Sequence, residues 1–301
     1  MLKRTITAIV AAIFILVPIL VLSDTWVFPC AVGIFTLIAI YEVAGCVGMK
    51  KIWRFSIPTY IFTALIAIFS ALYYKHLLAV QVLLPILFAL GYLYLFYMFA
   101  VTMFSCGTYK FSKTAELICM TLYVIVGFLS ILMLRDIGPE FFVGEPHGSP
   151  LGSTVNTGKY AYILIFIGAW TTDTGAYFVG VLFGKHKLIP AVSPKKTVEG
   201  ALGGILGCVL GFFIYGLILD KAFYIEVNYL PLLLLAVPVA IVSQIGDLIA
   251  SYLKRESGIK DFGFIFPGHG GVMDRFDSII AVAPIIYGAF LLLSDYVWFF
   301  H

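Results

Sequence analysis

Long apolar runs separated by short polar segments make up almost the whole chain. A membrane-spanning helix needs about 20 mostly apolar residues to cross about 30 Å of hydrocarbon. Nine runs approach or exceed that length, at residues 5–23, 26–45, 56–74, 80–104, 115–134, 160–183, 198–219, 229–252 and 279–299. The pattern predicts an all-α polytopic membrane protein with about nine transmembrane helices. The first run lacks a small-x-small cleavage site near Ser23, so we expect a span rather than a cleaved signal peptide.

The composition indicates that lipid is the main solvent of this chain. Of the 301 residues, 62% are hydrophobic and only 12% are charged, whereas soluble domains carry about 25% charged residues. No soluble domain or low-complexity run interrupts the spans. We therefore expect one integral membrane domain over 1–301, with N-terminal spans in 1–135 and a catalytic half in 160–301. The segment 135–159, rich in Gly, Pro, Ser and Thr, is typical of an irregular connection.

The positions of the basic residues predict the topology. Lys and Arg concentrate on the cytoplasmic side of membrane proteins. With a cytoplasmic N-terminus and nine spans, only Lys75, Arg135, Lys159 and Lys221 of the 19 basic residues fall outside. The C-terminus is then outside, and two polar loops, 184–197 and 253–278, face the cytoplasm. We expect a multi-pass protein of the cell (inner) membrane whose site opens to the cytosol, and no nucleic-acid partner.

Three carboxylates lie at membrane depth, where an acidic side chain is costly and is by default a functional candidate. Asp247 lies in a run whose helical continuation places Ser251 and Lys254 on the same face, at i, i+4 and i+7. Asp173 lies among threonines of the sixth run and is either a functional group or a helix–helix hydrogen-bonding group. Glu42 has no polar neighbours in its run, which favours an interfacial or structural role.

The loop 253–278 contains an acidic pair in DRFDS, Asp274 and Asp277, spaced i, i+3, and both carboxylates project to one side if the last helix begins here. Adjacent carboxylates repel each other unless a cation neutralises them. Oxygen ligands without His or Cys favour a hard ion such as Mg²⁺, and Asp247 could complete such a site. The alternative is helix capping together with an ion pair to Arg275.

The same loop holds PGHGG, at 267–271, where successive backbone amides could form an anion-binding nest. Gly270 and Gly271 belong to this turn. His269 is either a phosphate donor or acid–base group, or an ordinary loop histidine. By itself the motif is weak, since Gly-Pro runs are most often plain turns.

The other cytoplasmic loop ends in SPKKT, at 193–197. Ser193 and Thr197 resemble residues that start helices, and the ammonium groups of Lys195 and Lys196 suit phosphate binding. Anchoring to lipid headgroups is the alternative for the lysines. Together the two loops and the carboxylates indicate phosphoryl or nucleotidyl transfer, which uses divalent metals and basic groups to neutralise developing charge.

The stretch SYLKRESGIKDFGFIFPGHGGVMDRFDS, at 251–278, resembles the signature of the phosphatidate cytidylyltransferases (CDP-diacylglycerol synthases). The matching positions are Ser251, Lys254, Arg255, Lys260, Asp261, Gly263, Pro267, His269, Gly270, Gly271, Asp274, Arg275 and Asp277. The segments SPKKTVEGALGG, at 193–204, and TTDTGAYF, at 171–178, are similar to those of bacterial-type members.

The resemblance implies transfer of CMP from CTP to phosphatidic acid, which yields CDP-diacylglycerol and pyrophosphate. It implies catalytic roles for Asp247, Asp274, Asp277, Lys254 and Arg275, with the three aspartates as ligands of Mg²⁺ and with K⁺ as an accompanying cation. The residues implied in binding substrate and phosphate are Asp173, Ser193, Lys195, Lys196, Thr197, Ser251, Arg255, Lys260, His269, Gly270 and Gly271. The implied partners are CTP, phosphatidic acid, membrane lipid and a second copy in a homodimer.

Two other functions fit parts of the pattern. A CTP-dependent polyprenol or phytol kinase would share the nucleotide and transfer phosphoryl instead of CMP. A cation-coupled transporter would use Asp173 and Asp247 as ion sites. Against a transporter, the charges cluster in loops on one face, and the chain shows no inverted repeat with paired broken helices.

Overall fold

Eight helices in the described part of the chain are long and apolar enough to cross a membrane. The computed structural model describes residues 21–137, 158–265, 270–293 and 299–300. Most of the predicted span 5–23 and of the connection 135–159 lies outside the described residues, as do Pro267 and His269. The predicted all-α membrane architecture is confirmed.

The elements follow the predicted runs closely. The helices are α1 (Val27–Cys46), α2 (Trp53–Tyr74), α3 (Val80–Phe104), α4 (Phe111–Arg135), α5 (Gly158–Ala161), α6 (Ile163–Phe183), α7 (Val198–Ala222), α8 (Tyr229–Glu256) and α9 (Met273–Leu293). Between α6 and α7 lies a short antiparallel pair of strands, β1 (Lys187–Ile189) and β2 (Ser193–Thr197).

Large apolar side chains cover the outer surfaces of these helices. On α3, Phe88 is 78% exposed and Phe104 is 77% exposed, while only four residues of that helix are buried. Monomeric soluble proteins rarely expose apolar surface of this extent to water. Lipid is therefore the solvent that these faces require.

The described chain forms two compact units. Unit 1 contains the residues up to Leu132 together with Leu253–Phe276, and unit 2 contains Met133–Tyr252 together with the residues from Asp277 onward. The prediction of one membrane domain over 1–301 stays a prediction.

Aromatic packing holds the start of α9 inside unit 1. The ring of Phe276 lies 5.1 Å from that of Phe128 on α4 and 5.5 Å from that of Phe35 on α1. Phe128 and Phe276 are each 1% exposed. The first turn of α9 is therefore fixed against two other helices of the unit.

Glycines permit the close packing of α6 and α7 in unit 2. A Cβ added at Gly207 would lie 2.5 Å from the carbonyl oxygen of Thr171 and 3.1 Å from the Cα of Gly175. Small residues let helix backbones approach in lipid, where dispersion contacts rather than hydrophobic burial drive association. Asp173 lies on α6 of this helix pair, and the SPKKT segment directly precedes α7.

Two local predictions need correction. The helix start suggested by Ser193 is wrong, because Ser193 pairs with Ile189 across the β1–β2 register and so begins a strand. The last helix begins at Met273 and not at residue 279, because its first turn is polar and was not counted as part of the apolar run. The suggestion that a helix begins at DRFDS is confirmed.

The substitution Gly207→Ala is expected to destabilise the protein by about 1–3 kcal/mol, because the new methyl group forces the α6 and α7 backbones apart. Gly91→Ala is the matched control, since a Cβ there meets no atom within 4 Å. Thermal unfolding in detergent measures both. Equal melting temperatures for the two variants would contradict the close helix contact.

Candidate active site

The β1–β2 hairpin places SPKKT beside the start of α7. Lys187 pairs with Thr197 in the strand register. The hydroxyl of Thr197 accepts a hydrogen bond from the Gly200 amide at 3.1 Å, which caps α7. The helix-start prediction for Thr197 is confirmed. Lys195 is exposed and Lys196 is half-buried on the same short strand.

Glu199, in the first turn of α7, holds the two residues that precede β1. Its carboxylate accepts from the Lys185 amide at 3.0 Å and from the His186 amide at 3.2 Å. The Nδ1 atom of His186 lies 2.6 Å from Oε1 of Glu199. Both strands of the hairpin are therefore anchored at its base beside α7, which fixes the backbone that carries Lys195 and Lys196.

A pocket of about 450 Å³ lies within unit 2. Its polar lining residues include Asp173, Lys187, Lys195, Lys196, Thr197, Gln244 and Asp247. The volume is in the range of small-molecule sites. Two predicted basic residues and two predicted acidic residues are thus brought to one cavity.

An ion pair crosses this pocket. The Lys196 Nζ atom lies 2.6 Å from Oδ2 of Asp247 and 3.4 Å from the carbonyl oxygen of Gln244. Asp173 interacts electrostatically with both members of the pair. Asp173 lies in the pocket wall, and its functional role stays a prediction.

Asp247 and Asp277 lie on helices that touch each other in unit 2. The residue before Asp247 is Gly246, where an added Cβ would lie 2.5 Å from the Cβ of Ala281 and 3.0 Å from the carbonyl oxygen of Asp277. The absence of a side chain at 246 lets α8 approach α9 at this level. Asp277 is half-buried, and its Oδ1 accepts from the Ser278 amide at 2.8 Å.

Asp274 is the predicted site carboxylate that lies in unit 1, and it is buried, with 3% of its side chain exposed. Its Oδ1 lies 2.8 Å from the Lys254 ammonium. Its Oδ2 accepts from the amides of Phe262 at 2.8 Å and Gly271 at 3.0 Å. The cation that pairs with Asp274 is therefore Lys254, 20 residues earlier in the chain.

The amides that follow Gly271 are bound by Glu42. Oε1 of Glu42 accepts from the Val272 amide at 3.1 Å, and Oε2 accepts from the Met273 amide at 2.8 Å. The sequence favoured an interfacial or structural role for Glu42, which agrees with this contact. Its partner could not be found by periodicity, because the two segments are 230 residues apart.

The remaining predicted residues lie near these groups in the chain. Ser251 is half-buried on α8, one turn after Asp247, and Arg255, Lys260 and Arg275 are exposed. Gly270, with φ near +80°, and Gly271 directly precede α9. His269 lies outside the described residues. The assignment of these residues to substrate contacts stays a prediction.

Sequence reasoning missed two polar residues of the pocket. Lys187 was treated as part of a loop, although β1 places it in the pocket lining. Gln244 lies one turn before Asp247, and its Nε2 donates to the carbonyl oxygens of Ala240 at 3.2 Å and Ala201 at 3.3 Å. The i, i+3 spacing of Gln244 and Asp247 was the signal that could have found it.

The sequence of the chain matches a known class of enzymes. The chain matches the model of the cytidylyltransferase family over residues 2–293, and it belongs to that family. The match covers both units and all the candidate residues.

Several relatives carry a more specific name. A phosphatidate cytidylyltransferase of Staphylococcus haemolyticus is 34% identical over 291 residues, with 94% of this chain and 96% of the relative covered. One from Staphylococcus epidermidis is 35% identical over 284 residues, and one from Staphylococcus aureus is 32% identical over 285 residues, with the same coverage. The resemblance expected from the 251–278 signature is confirmed.

The substitution Lys254→Met should lower the free energy of unfolding by about 3–5 kcal/mol, because it leaves the buried Asp274 carboxylate without its cation. Lys113→Met is the matched control, since the side chain of Lys113 is 43% exposed in its pair with Glu116, against 12% for Lys254 in its pair with Asp274. An exposed pair contributes about 0–1 kcal/mol. Chemical denaturation in detergent measures both variants, and similar losses would contradict the buried ion pair.

Proposed function

We propose that this chain transfers CMP from CTP to phosphatidic acid and releases CDP-diacylglycerol and pyrophosphate. The main observation in support is the pocket of unit 2, which is lined by Lys195, Lys196 and Asp247. The cytidylyltransferase family model matches almost the whole length of the same chain. The names of the Staphylococcus relatives support phosphatidate as the acceptor.

The reaction is a displacement at phosphorus. An oxygen of the phosphatidate phosphate attacks the α-phosphorus of CTP and forms the new P–O bond. The bond from the α-phosphorus to the oxygen bridging it to the β-phosphorus breaks, and the electron pair leaves with pyrophosphate. The nucleophile is already an ionised phosphate, so we assign no general base. Alignment and charge neutralisation are expected to provide most of the rate enhancement.

The lysines of the hairpin are suited to hold the triphosphate. Lys195 is exposed in the pocket lining and is the more accessible cation. Lys196 is held by Asp247, so its ammonium is already oriented before any phosphate arrives. The Gln244 side chain is anchored to two backbone carbonyl groups and forms part of the wall beside them.

The donor set fits a hard divalent cation such as Mg²⁺. In the described part of the chain no three His, Cys, Asp or Glu side chains form a metal cluster, and Mg²⁺ commonly takes one or two protein carboxylates and completes its shell with water and substrate phosphates. Asp173 and Asp247 supply oxygen donors to one pocket. When bound, the ion neutralises charge on the phosphates during transfer.

Asp274 also retains capacity for a cation. An ionised carboxylate offers about four lone-pair sites, and three are taken by Lys254, Phe262 and Gly271. The set Asp247, Asp274 and Asp277, the accompanying K⁺ and the homodimer stay predictions.

The expected setting is a bacterial cell membrane with the site facing the cytoplasm. CTP is a cytosolic solute, and phosphatidate presents its headgroup at the membrane interface. The distribution of Lys and Arg supports the orientation, because both polar loops then lie on the side from which CTP arrives.

The purified full chain in detergent, with Mg²⁺, CTP and phosphatidate, should form CDP-diacylglycerol and pyrophosphate in equal amounts. Asp247→Asn should reduce the rate by at least about 100-fold if this carboxylate helps to neutralise the transferring phosphates. Radiolabelled CTP and lipid extraction measure the product. Label in the lipid from the γ-phosphate, in place of cytidylate, would instead identify a lipid kinase.

The substitution Lys195→Ala should raise the apparent KM for CTP or lower kcat by about tenfold, since a phosphate-binding charge is lost. Lys221→Ala is the control, because Lys221 is an exposed lysine of unit 2 paired with Asp220 and does not line the pocket. Unchanged kinetics in Lys195→Ala would contradict phosphate binding and favour the alternative, in which Lys195 anchors the loop to lipid headgroups.

A further inference from the structure

Glu42 is a buried carboxylate that the reaction described above does not use. It lies on α1, far from the signature segment in sequence, and is 4% exposed. Each of its two oxygens accepts one backbone amide, from Val272 at 3.1 Å and from Met273 at 2.8 Å. An ionised carboxylate, which accepts at both oxygens and donates at neither, matches this pattern.

The contact replaces a local helix cap. The first N–H groups of a helix have no partner within it, and a side chain of an adjacent residue usually binds them. At the start of α9 the acceptor comes from another helix, 230 residues away along the chain. Negative charge at this end of a helix is also favoured by the helix dipole.

Two glycines of the signature segment make room for this carboxylate. A Cβ added at Gly263 or at Gly271 would overlap the Glu42 side chain. The backbone therefore encloses the carboxylate from two directions. This contact gives a physical reason for glycine at both positions, separate from any approach of a nucleotide.

Three successive amides are divided between two carboxylates. The Gly271 amide donates to Asp274 at 3.0 Å, and the next two amides donate to Glu42. Any shift of the backbone at 271–273 would therefore move Asp274 relative to Lys254, its partner at 2.8 Å. Glu42 therefore binds two amides of the turn from which Asp274 projects.

We propose that Glu42 is a positioning residue for CMP transfer, which fixes the first turn of α9 and through it the Asp274–Lys254 pair. This inference rests on the proposed function. Glu42 itself touches no substrate in this account, and its effect reaches the reaction through the Gly271–Asp274 backbone.

Glu42→Gln keeps the length of the side chain and turns one of its two acceptors into a donor that faces an amide. We expect kcat to fall about 10- to 100-fold, because small displacements of catalytic groups lower rates by that order. The KM for CTP should change by less than about twofold, because Lys195 and Lys196 lie on β2 and Asp247 lies on α8, and neither element bears Glu42 or the 271–273 turn. Hydrogen exchange at the Val272 and Met273 amides should accelerate.

Thr36→Val is the matched control on the same helix. Thr36 is also buried, and its hydroxyl donates only to the Val32 carbonyl oxygen of its own helix, at 2.7 Å. It should leave kcat and the exchange of both amides unchanged. A Glu42→Gln enzyme with the kcat and exchange of Thr36→Val would overturn the proposal.

Gly271→Ala tests the same contact with the carboxylate retained, should Glu42→Gln fold poorly. Gly45→Ala is its control on α1, where an added Cβ meets only the Lys50 Cδ at an ordinary 3.6 Å. The double variant Glu42→Ala/Gly271→Ala should be no less active than Glu42→Ala, since the overlap is gone. Defects that multiply would contradict direct contact.

Failure of the proposed function is distinguishable from failure of this inference. If the wild-type protein makes no CDP-diacylglycerol, the proposed function fails, while hydrogen exchange still reports whether Glu42 binds the two amides. If the wild type is active and Glu42→Gln retains its kcat, the positioning role alone fails.

Discussion

A carboxylate buried at membrane depth must be matched by donors, and this requirement shapes both units. Ionised groups removed from water lose several kcal/mol of solvation that only close partners restore. The buried Asp274 is matched by Lys254 and two amides, and Asp247, which is only half-buried, pairs with Lys196. These contacts draw the polar loops to the helix ends, so the charged segments of a largely apolar chain fold as parts of the helical framework.

Glycines let the helices and polar segments of this framework come close together. At Gly207 it lets α7 approach α6, and at Gly246 it lets α8 approach α9. At Gly271 it leaves space for a carboxylate. In each place the missing side chain lies directly beside a segment that bears a candidate functional group. Close packing and the placement of functional groups are thus achieved by the same residues.

Most of the helices could be predicted from the sequence, because a run of about 20 apolar residues has few alternatives in lipid. The spacing of Asp247, Ser251 and Lys254 within one helix could be predicted for the same reason. The strand β2 could not, because it depends on pairing between polar segments, which carries no hydrophobic period. The first turn of α9 lies outside the apolar run, and only the i, i+3 spacing of Asp274 and Asp277 suggested it. The partner of Glu42 could not be predicted for a related reason, since a contact between a side chain and distant backbone amides produces no residue pattern in either segment.

The ion pair between Lys196 and Asp247 also affects which anions the pocket is suited to bind. In the proposed reaction an anion would share the Lys196 ammonium with the Asp247 carboxylate, which repels the anion at close range. A singly charged anion would gain little from that contact, whereas a triphosphate brings several charges and could also engage Lys195 and Lys187. The proposed site would therefore favour polyphosphates before any base or sugar is recognised.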